Sequence, residues 1–205
     1  KLEGTELWMF IGAIVAVAAL IAVLAVLNKK HVNAAPTVEK KGKKLTTRML
    51  VQGALCIALA FVLSYIKLFS MLPIFVFAWM YGPAAGLLAG FAYSLLQVVQ
   101  GAYVVHPVQF VLDYFLSFTV LGLAGFFPKS LALGAGVGGF CRMLCGVLSG
   151  AIFFADSAAE AGYANAWAYS FMYNFTTIGV DTILCVIAAL IPAVSKAAVR
   201  IRDGK

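Results

Sequence analysis

Apolar runs alternate with short polar breaks along the whole chain, and the runs are long enough to cross a bilayer. Leu7 to Leu27 carries no charge and has the length of a membrane-spanning helix. It exceeds a signal-peptide core, and its positive charge follows rather than precedes it. It therefore predicts a transmembrane anchor (residues 1–27) with its N-terminus outside. A polar, Lys-rich linker (residues 28–46) comes next. Thr47 to Ile66 is a second span, Lys67 to Ser70 a short loop, and Leu72 to Met80 a shorter apolar segment ended by Tyr81-Gly82-Pro83. The pattern then gives spans up to Gln100, from Val108 to Phe127, from Leu131 to Ala155 and from about Trp167 to Val194. Residues 47–205 thus read as a membrane domain of six helices.

Composition agrees with the pattern. The 205 residues are 63% hydrophobic and only 11% charged, with a mean hydropathy of +1.00. A soluble domain of this size cannot hide so much apolar surface. The net charge of +7 could suggest a nucleic-acid partner, but its placement argues for membrane lipid. Lys29, Lys30, Lys40, Lys41, Lys43, Lys44 and Arg48 flank one span, and Lys196, Arg200, Arg202 and Lys205 follow the last. Basic clusters beside spans mark the cytoplasmic side and contact anionic lipid. Counting crossings from an inner linker puts Lys129 and the basic tail inside, and Asp156 and Glu160 outside. Lys67 is the exception.

Several motifs can be set aside. Gly134-Ala135-Gly136-Val137-Gly138-Gly139 matches G-x-G-x-x-G but follows no strand, so it reads as helix packing rather than a dinucleotide site. No phosphate-binding G-x-x-x-x-G-K-[ST] loop is present, and no catalytic triad or metal set stands out, so neither an enzyme nor a bound cofactor or metal is expected. Cys56, Cys141, Cys145 and Cys185 lie within spans and read as buried thiols. His106 precedes a proline in an outer loop, where helix capping or loop bonding accounts for it. Gly82, Gly86 and Gly90 form a small-residue packing seam, and Ala54 and Ala58 a second small face.

The charged residues inside the spans carry the functional signal. Asp113 is the one acidic residue between Glu39 and Asp156. Carboxylates at such depth are costly, and face a partner, a cavity or a ligand. Tyr114 adds a ring and a hydroxyl. Arg142 is a cation within a span and must pair or reach water, and a plain Asp113–Arg142 salt bridge is the structural alternative. Tyr169, Tyr173 and Asn174 cluster near the outer end of the last span, where an aromatic belt also explains the tyrosines. Trp79, Phe154 and Trp167 are further aromatic candidates. Asp181, a second carboxylate within a span, suits an interhelical polar contact. A carboxylate beside aromatic faces fits a small cationic heterocycle, because cation–π and Coulomb attraction then add.

Several stretches together form a longer pattern: Met71-Leu72-Pro73-Ile74-Phe75, the run from Gly101 to Tyr114, Leu121-Gly122-Leu123-Ala124-Gly125, Leu148 to Phe154, and Tyr169-Ser170 with Asn174. In order and spacing they resemble the thiamine-specific S component of energy-coupling factor (ECF) transporters. The resemblance implies an all-α bacterial plasma-membrane protein, a six-helix S-component bundle, here with one extra N-terminal transmembrane helix. It implies a subunit that binds thiamine from outside and docks on a transmembrane coupling protein with two cytoplasmic ATPase subunits. The family's acidic ligand falls on Asp113, its neighbouring tyrosine on Tyr114, its basic pocket residue on Arg142 and an aromatic wall on Phe154. Its tyrosine and asparagine fall on Tyr169 and Asn174, and Ala54 and Ala58 take the place of the docking face. Two departures stand out. Gly146 occupies the usual position of a histidine, and the outer loop near Phe69-Ser70, which normally helps to cover the ligand, is short. A thiamine precursor or another vitamin is the alternative ligand, and a non-transport scaffold the alternative role.

Overall fold

A computed structural model describes residues 46–203. The expected anchor (1–27) and all but the last residue of the linker (28–46) lie outside the described residues. Up to Val51, what is described is the opening turn of the first helix, where Thr46 Oγ1 accepts from Met49 N at 3.3 Å. From Gln52 onward the chain forms a second compact unit.

The described helices are α1 (Thr47–Ile66), α2 (Leu72–Tyr81), α3 (Pro83–Gly101), α4 (Pro107–Phe126), α5 (Leu131–Phe153), α6 (Ala155–Glu160), α7 (Ala166–Leu190) and α8 (Pro192–Asp203). Five of them (α1, α3, α4, α5 and α7) are long and apolar enough to span a membrane, and α2 is the short sixth. Polar caps set their starts where the sequence breaks. The Ser130 hydroxyl accepts from Leu133 N at 3.2 Å at the start of α5, and Asn165 Oδ1 accepts from Trp167 N at 2.9 Å in α7. The last span ends earlier than its hydropathy suggests. Ile191 is extended and Pro192 opens a separate amphipathic helix, α8, in place of a continuous run to Val194.

Helix α2 is apolar on all sides, and it is accordingly central: Ile74, Phe75 and Ala78 are fully buried with Met71, Tyr93, Leu121 and Cys185. Lipid offers little hydrophobic drive for helix association, so close approach through small residues does the work. A Cβ on Gly122 of α4 would strike the backbone of Gly86 and Leu87, and one on Gly90 the Phe118 carbonyl. The expected α3 seam is therefore real at Gly86 and Gly90. Gly82 differs: its φ of +93° serves the α2–α3 turn, and nothing lies within 4 Å of its Cβ position. The G-x-G-x-x-G match is packing too, with Gly134 against Ala124, Gly138 against Phe75 and Gly139 against Thr182.

Two spans depart from α-helical winding. In α4, residues Val111–Leu116 form a π-helical turn and Val120–Phe126 a 3-10 segment. In α7, Phe175–Gly179 is π-helical. There, Thr176 and Thr177 return their hydroxyls to the Met172 and Tyr173 carbonyls at 2.8–3.0 Å, a back-bonding that loosens helices. π turns of this kind concentrate at functional sites. One contains Asp113 and Tyr114, and the other begins immediately after Asn174.

Candidate functional site

The connection from Gly101 to His106 folds over the start of α4 and is pinned there by polar bonds. Gln109, buried on the first turn, donates from Nε2 to Asp113 Oδ2 at 2.7 Å and to the Tyr103 carbonyl at 3.1 Å. Its Oε1 accepts from Val105 N at 3.1 Å. Tyr103 N in turn donates to the Tyr114 hydroxyl at 2.9 Å. One glutamine amide thus fixes both the loop and the carboxylate. His106 Nδ1 accepts from Val108 N at 3.1 Å, capping α4 as expected, while its ring stacks on Phe153 at 5.2 Å.

Aromatic rings surround this end of the bundle. Tyr103 lies 6.1 Å from Phe154, and Phe110 lies 5.5 Å from Tyr114. On α7, Tyr169 packs between Tyr163 and Tyr173, at 5.4 and 6.2 Å. Trp167 is exposed at the head of that helix. Trp79 does not join them: its indole donates to the Pro128 carbonyl at 3.1 Å, at the opposite end of α4 from Asp113.

Between Asp113 and the α7 residues runs a short stretch of α5. The buried Ser149 hydroxyl lies near the Asp113 carboxylate without a hydrogen bond of normal geometry. The adjacent Gly150 faces Ser170, whose hydroxyl donates to the Val147 carbonyl at 2.8 Å. Asn174 Nδ2 donates to the Ser170 carbonyl at 2.9 Å, and its Oδ1 lies directly over Gly146. Gly146, Ser149 and Gly150 thereby bring α4 and α7 within reach of one another.

The structure separates Arg142 from Asp113. Asp113 bonds to Gln109, and the Arg142 guanidinium carbon stands 4.1 Å from the centroid of the Phe118 ring. Tyr93, Asp181, Cys185 and Cys145 are the polar groups within electrostatic reach of Arg142. No Asp113–Arg142 salt bridge forms, and the ion pair among the described residues is Arg202–Asp203 at 2.9 Å. The scaffold reading built on that pair is corrected accordingly. Asp181 also differs from its expected interhelical use. It accepts from Phe69 N at 2.5 Å and from the Ser70 hydroxyl at 3.0 Å, binding the loop before α2.

Gln109 is the member of this polar network hardest to single out from sequence, although its i, i+4 spacing to Asp113 on a helix is a recognisable signal. Ser149, Ser170 and Tyr103 are likewise visible only once the helices are packed. Among the described residues no group of three or more His, Cys, Asp or Glu could hold a metal.

Comparison with known proteins bears on this arrangement. The family model described as thiamine transporter protein (Thia_YuaJ) matches residues 50–201. The thiamine transporter ThiT of Bacillus subtilis is 32% identical over 134 residues, covering 57% of this chain and 69% of that protein. ThiT of Lacticaseibacillus paracasei is 24% identical over 192 residues, covering 77% and 92% respectively. The fold is similar to a solved structure of ThiT from Listeria monocytogenes, with a TM-score of 0.57, 20% identity, and coverage of 76% of this chain and 93% of that one. With a family match extending from the first core helix to the last, the chain belongs to the thiamine transporter protein family, and is an integral membrane transport protein rather than an enzyme.

Proposed function

We propose that this chain is the substrate-binding subunit of an ECF-type vitamin transporter, taking thiamine from outside at the Asp113 site. Thiamine pairs a permanently cationic thiazolium with a flat aminopyrimidine. Such a ligand asks for one uncancelled negative charge, flat aromatic faces and a few oriented polar groups. The observation that carries the reading is the Gln109–Asp113 bond at 2.7 Å. A neutral amide orients the carboxylate without cancelling its charge, and no cation forms a salt bridge with it among the described residues. Burial then strengthens its attraction for a cation.

The other assignments follow from the family resemblance and the chemistry. Tyr114, its hydroxyl engaged by Tyr103 N, presents its ring. Phe154 and Tyr169 supply further aromatic faces, Asn174 a polar edge, and Arg142 a positive charge deeper in the bundle. Cation–π contacts of this type contribute about 2 kcal/mol or more when desolvated. The sequence has no phosphate-binding loop of its own, which suits a subunit that relies on a coupling protein and two ATPases. Ala54 and Ala58 are exposed on α1 and are the proposed docking face for the coupling protein.

Calorimetric titration of the purified chain with thiamine, beside an Asp113→Asn variant, tests the assignment. Tight binding by the wild type and its loss in the variant is the expected outcome. Failure of the wild type to bind would overturn thiamine as ligand and favour a precursor, a reading to which Gly146 lends some weight. Equal binding by both proteins would remove Asp113 from the site.

A further inference from the structure

The inner end of the bundle holds a second feature, distant from Asp113. An open cleft of about 530 Å³ lies between α5, the end of α7 and α8, with Trp79 on its wall. Three cations line it, Lys129 from the α4–α5 turn and Lys196 and Arg200 from α8, and no carboxylate does. Lys196 and Arg200 are four apart, so one face of α8 presents both. None of the three forms an ion pair among the described residues; Asp203 engages Arg202 instead. Leu131 and Leu190 add apolar lining, so the cleft combines a cationic part with an oily one.

We propose that this cleft binds the phosphate-bearing headgroup of an anionic phospholipid from the cytoplasmic leaflet. The positive-inside distribution puts this end of the bundle at the cytoplasmic surface. Helix α8 leaves the span through the extended Ile191 and Pro192. Lys196 and Arg200 face the cleft while Ile201 is exposed, the arrangement of a helix lying in the interface plane. Trp79, its indole bonded to the Pro128 carbonyl, is of the residue type that anchors at headgroup depth. Arginine and lysine together recognise phosphate, the first by its planar fork and the second as a point charge. The acyl chains of a lipid would continue along the exposed Leu190, which a soluble anion could not use.

Native mass spectrometry of the full chain in detergent tests this. The wild type is titrated with phosphatidylglycerol, phosphatidylcholine, and soluble glycerol 3-phosphate. The same titrations are run on a Lys129→Gln/Lys196→Gln/Arg200→Gln variant and on a control, Lys40→Gln/Lys41→Gln/Lys43→Gln, which loses equal charge from the linker. The expected result is a preference for phosphatidylglycerol over phosphatidylcholine of at least about tenfold, lost in the cleft variant and kept in the control. Absence of that preference in the wild type overturns the proposal whatever the variants do. An equal fall in both variants overturns it in favour of diffuse charge. Glycerol 3-phosphate binding as tightly as the lipid would overturn the lipid assignment and leave a soluble-anion site. A cleft variant that still binds thiamine has folded, so its loss of lipid preference supports the proposal. If it fails to bind thiamine, the single Lys196→Gln variant takes its place, with a partial loss expected and an unchanged preference counting against the cleft.

Discussion

Asn174 occupies the space that a side chain at Gly146 would need: a Cβ built there would collide with Asn174 Oδ1 and lie 3.3 Å from Ile178 Cδ1. The family resemblance expects a histidine at this position. Here the α5–α7 spacing excludes one, and the Asn174 amide, held by the Ser170 carbonyl at 2.9 Å, fills the gap. The glycine thereby lets the Asn174 side chain of α7 pack directly on the α5 backbone.

The first prediction follows from that contact. Gly146→Ala forces Asn174 out of its rotamer, and overpacking of this kind costs about 1–3 kcal/mol. Thiamine affinity should fall by at least about tenfold, since 1.4 kcal/mol corresponds to a factor of ten. Titration calorimetry measures it, with circular dichroism confirming that the helices persist. Unchanged affinity would exclude Asn174 from the site.

Gln109→Leu removes the amide that joins the loop to the carboxylate. Val105 N and the Tyr103 carbonyl lose their partner, and Asp113 loses its bond at 2.7 Å. Hydrogen bonds to charged groups contribute about 1.5–3 kcal/mol, so affinity should drop by one to two orders of magnitude. The loss should be smaller than that of Asp113→Asn, because the negative charge remains. A Gln109→Leu protein that binds as the wild type does would show that the loop and carboxylate need no common anchor.

Much of this arrangement was legible in the sequence, and what was not has physical reasons. Spans, the α3 glycine seam and the His106 cap follow from local composition, since length, small-residue spacing and capping chemistry are short-range properties. Asp113 stood out because a carboxylate in an apolar run is expensive. Its partner was harder to foresee. Arg142 and Asp113 look complementary along the chain, but α5 turns Arg142 toward Phe118, at 4.1 Å. Which face of a helix meets which neighbour is decided by packing, and hydropathy carries no trace of it. Trp79 failed as an outer-site aromatic for the same reason, being near the inner end of a short helix. The π turns were equally hidden, because they arise from a bond register that no residue type announces by itself.

Asp181 gives a prediction about the loop before α2. Lys67 and Phe69 both adopt φ of 58°, a left-handed conformation uncommon outside glycine. Asp181 holds that turn through Phe69 N and the Ser70 hydroxyl. In Asp181→Leu both acceptors are lost, and leaving the Phe69 N–H unsatisfied costs about 1–3 kcal/mol. A lower unfolding temperature in detergent is expected, together with faster amide exchange at residues 67–71. Wild-type exchange rates in that segment would show that the turn does not depend on Asp181.

The α1 face offers a test that separates binding from transport. Ala54 and Ala58 are exposed, and Leu55, Leu59 and Val62 beside them are 64%, 52% and 59% exposed. Two small residues a turn apart allow another helix to approach closely, and larger side chains there hold it off. An Ala54→Leu/Ala58→Leu variant should bind thiamine within about threefold of the wild type, because surface changes away from a site alter energies by about 0.5 kcal/mol or less. It should nevertheless fail to co-purify with the coupling protein and ATPases when all are expressed together, and uptake of labelled thiamine into cells should fall to background. Binding lost along with uptake would mean that α1 supports the site itself. Uptake unaffected by both leucines would place the docking face on another helix, since two added isopropyl groups would hold off a helix that packs closely on alanine.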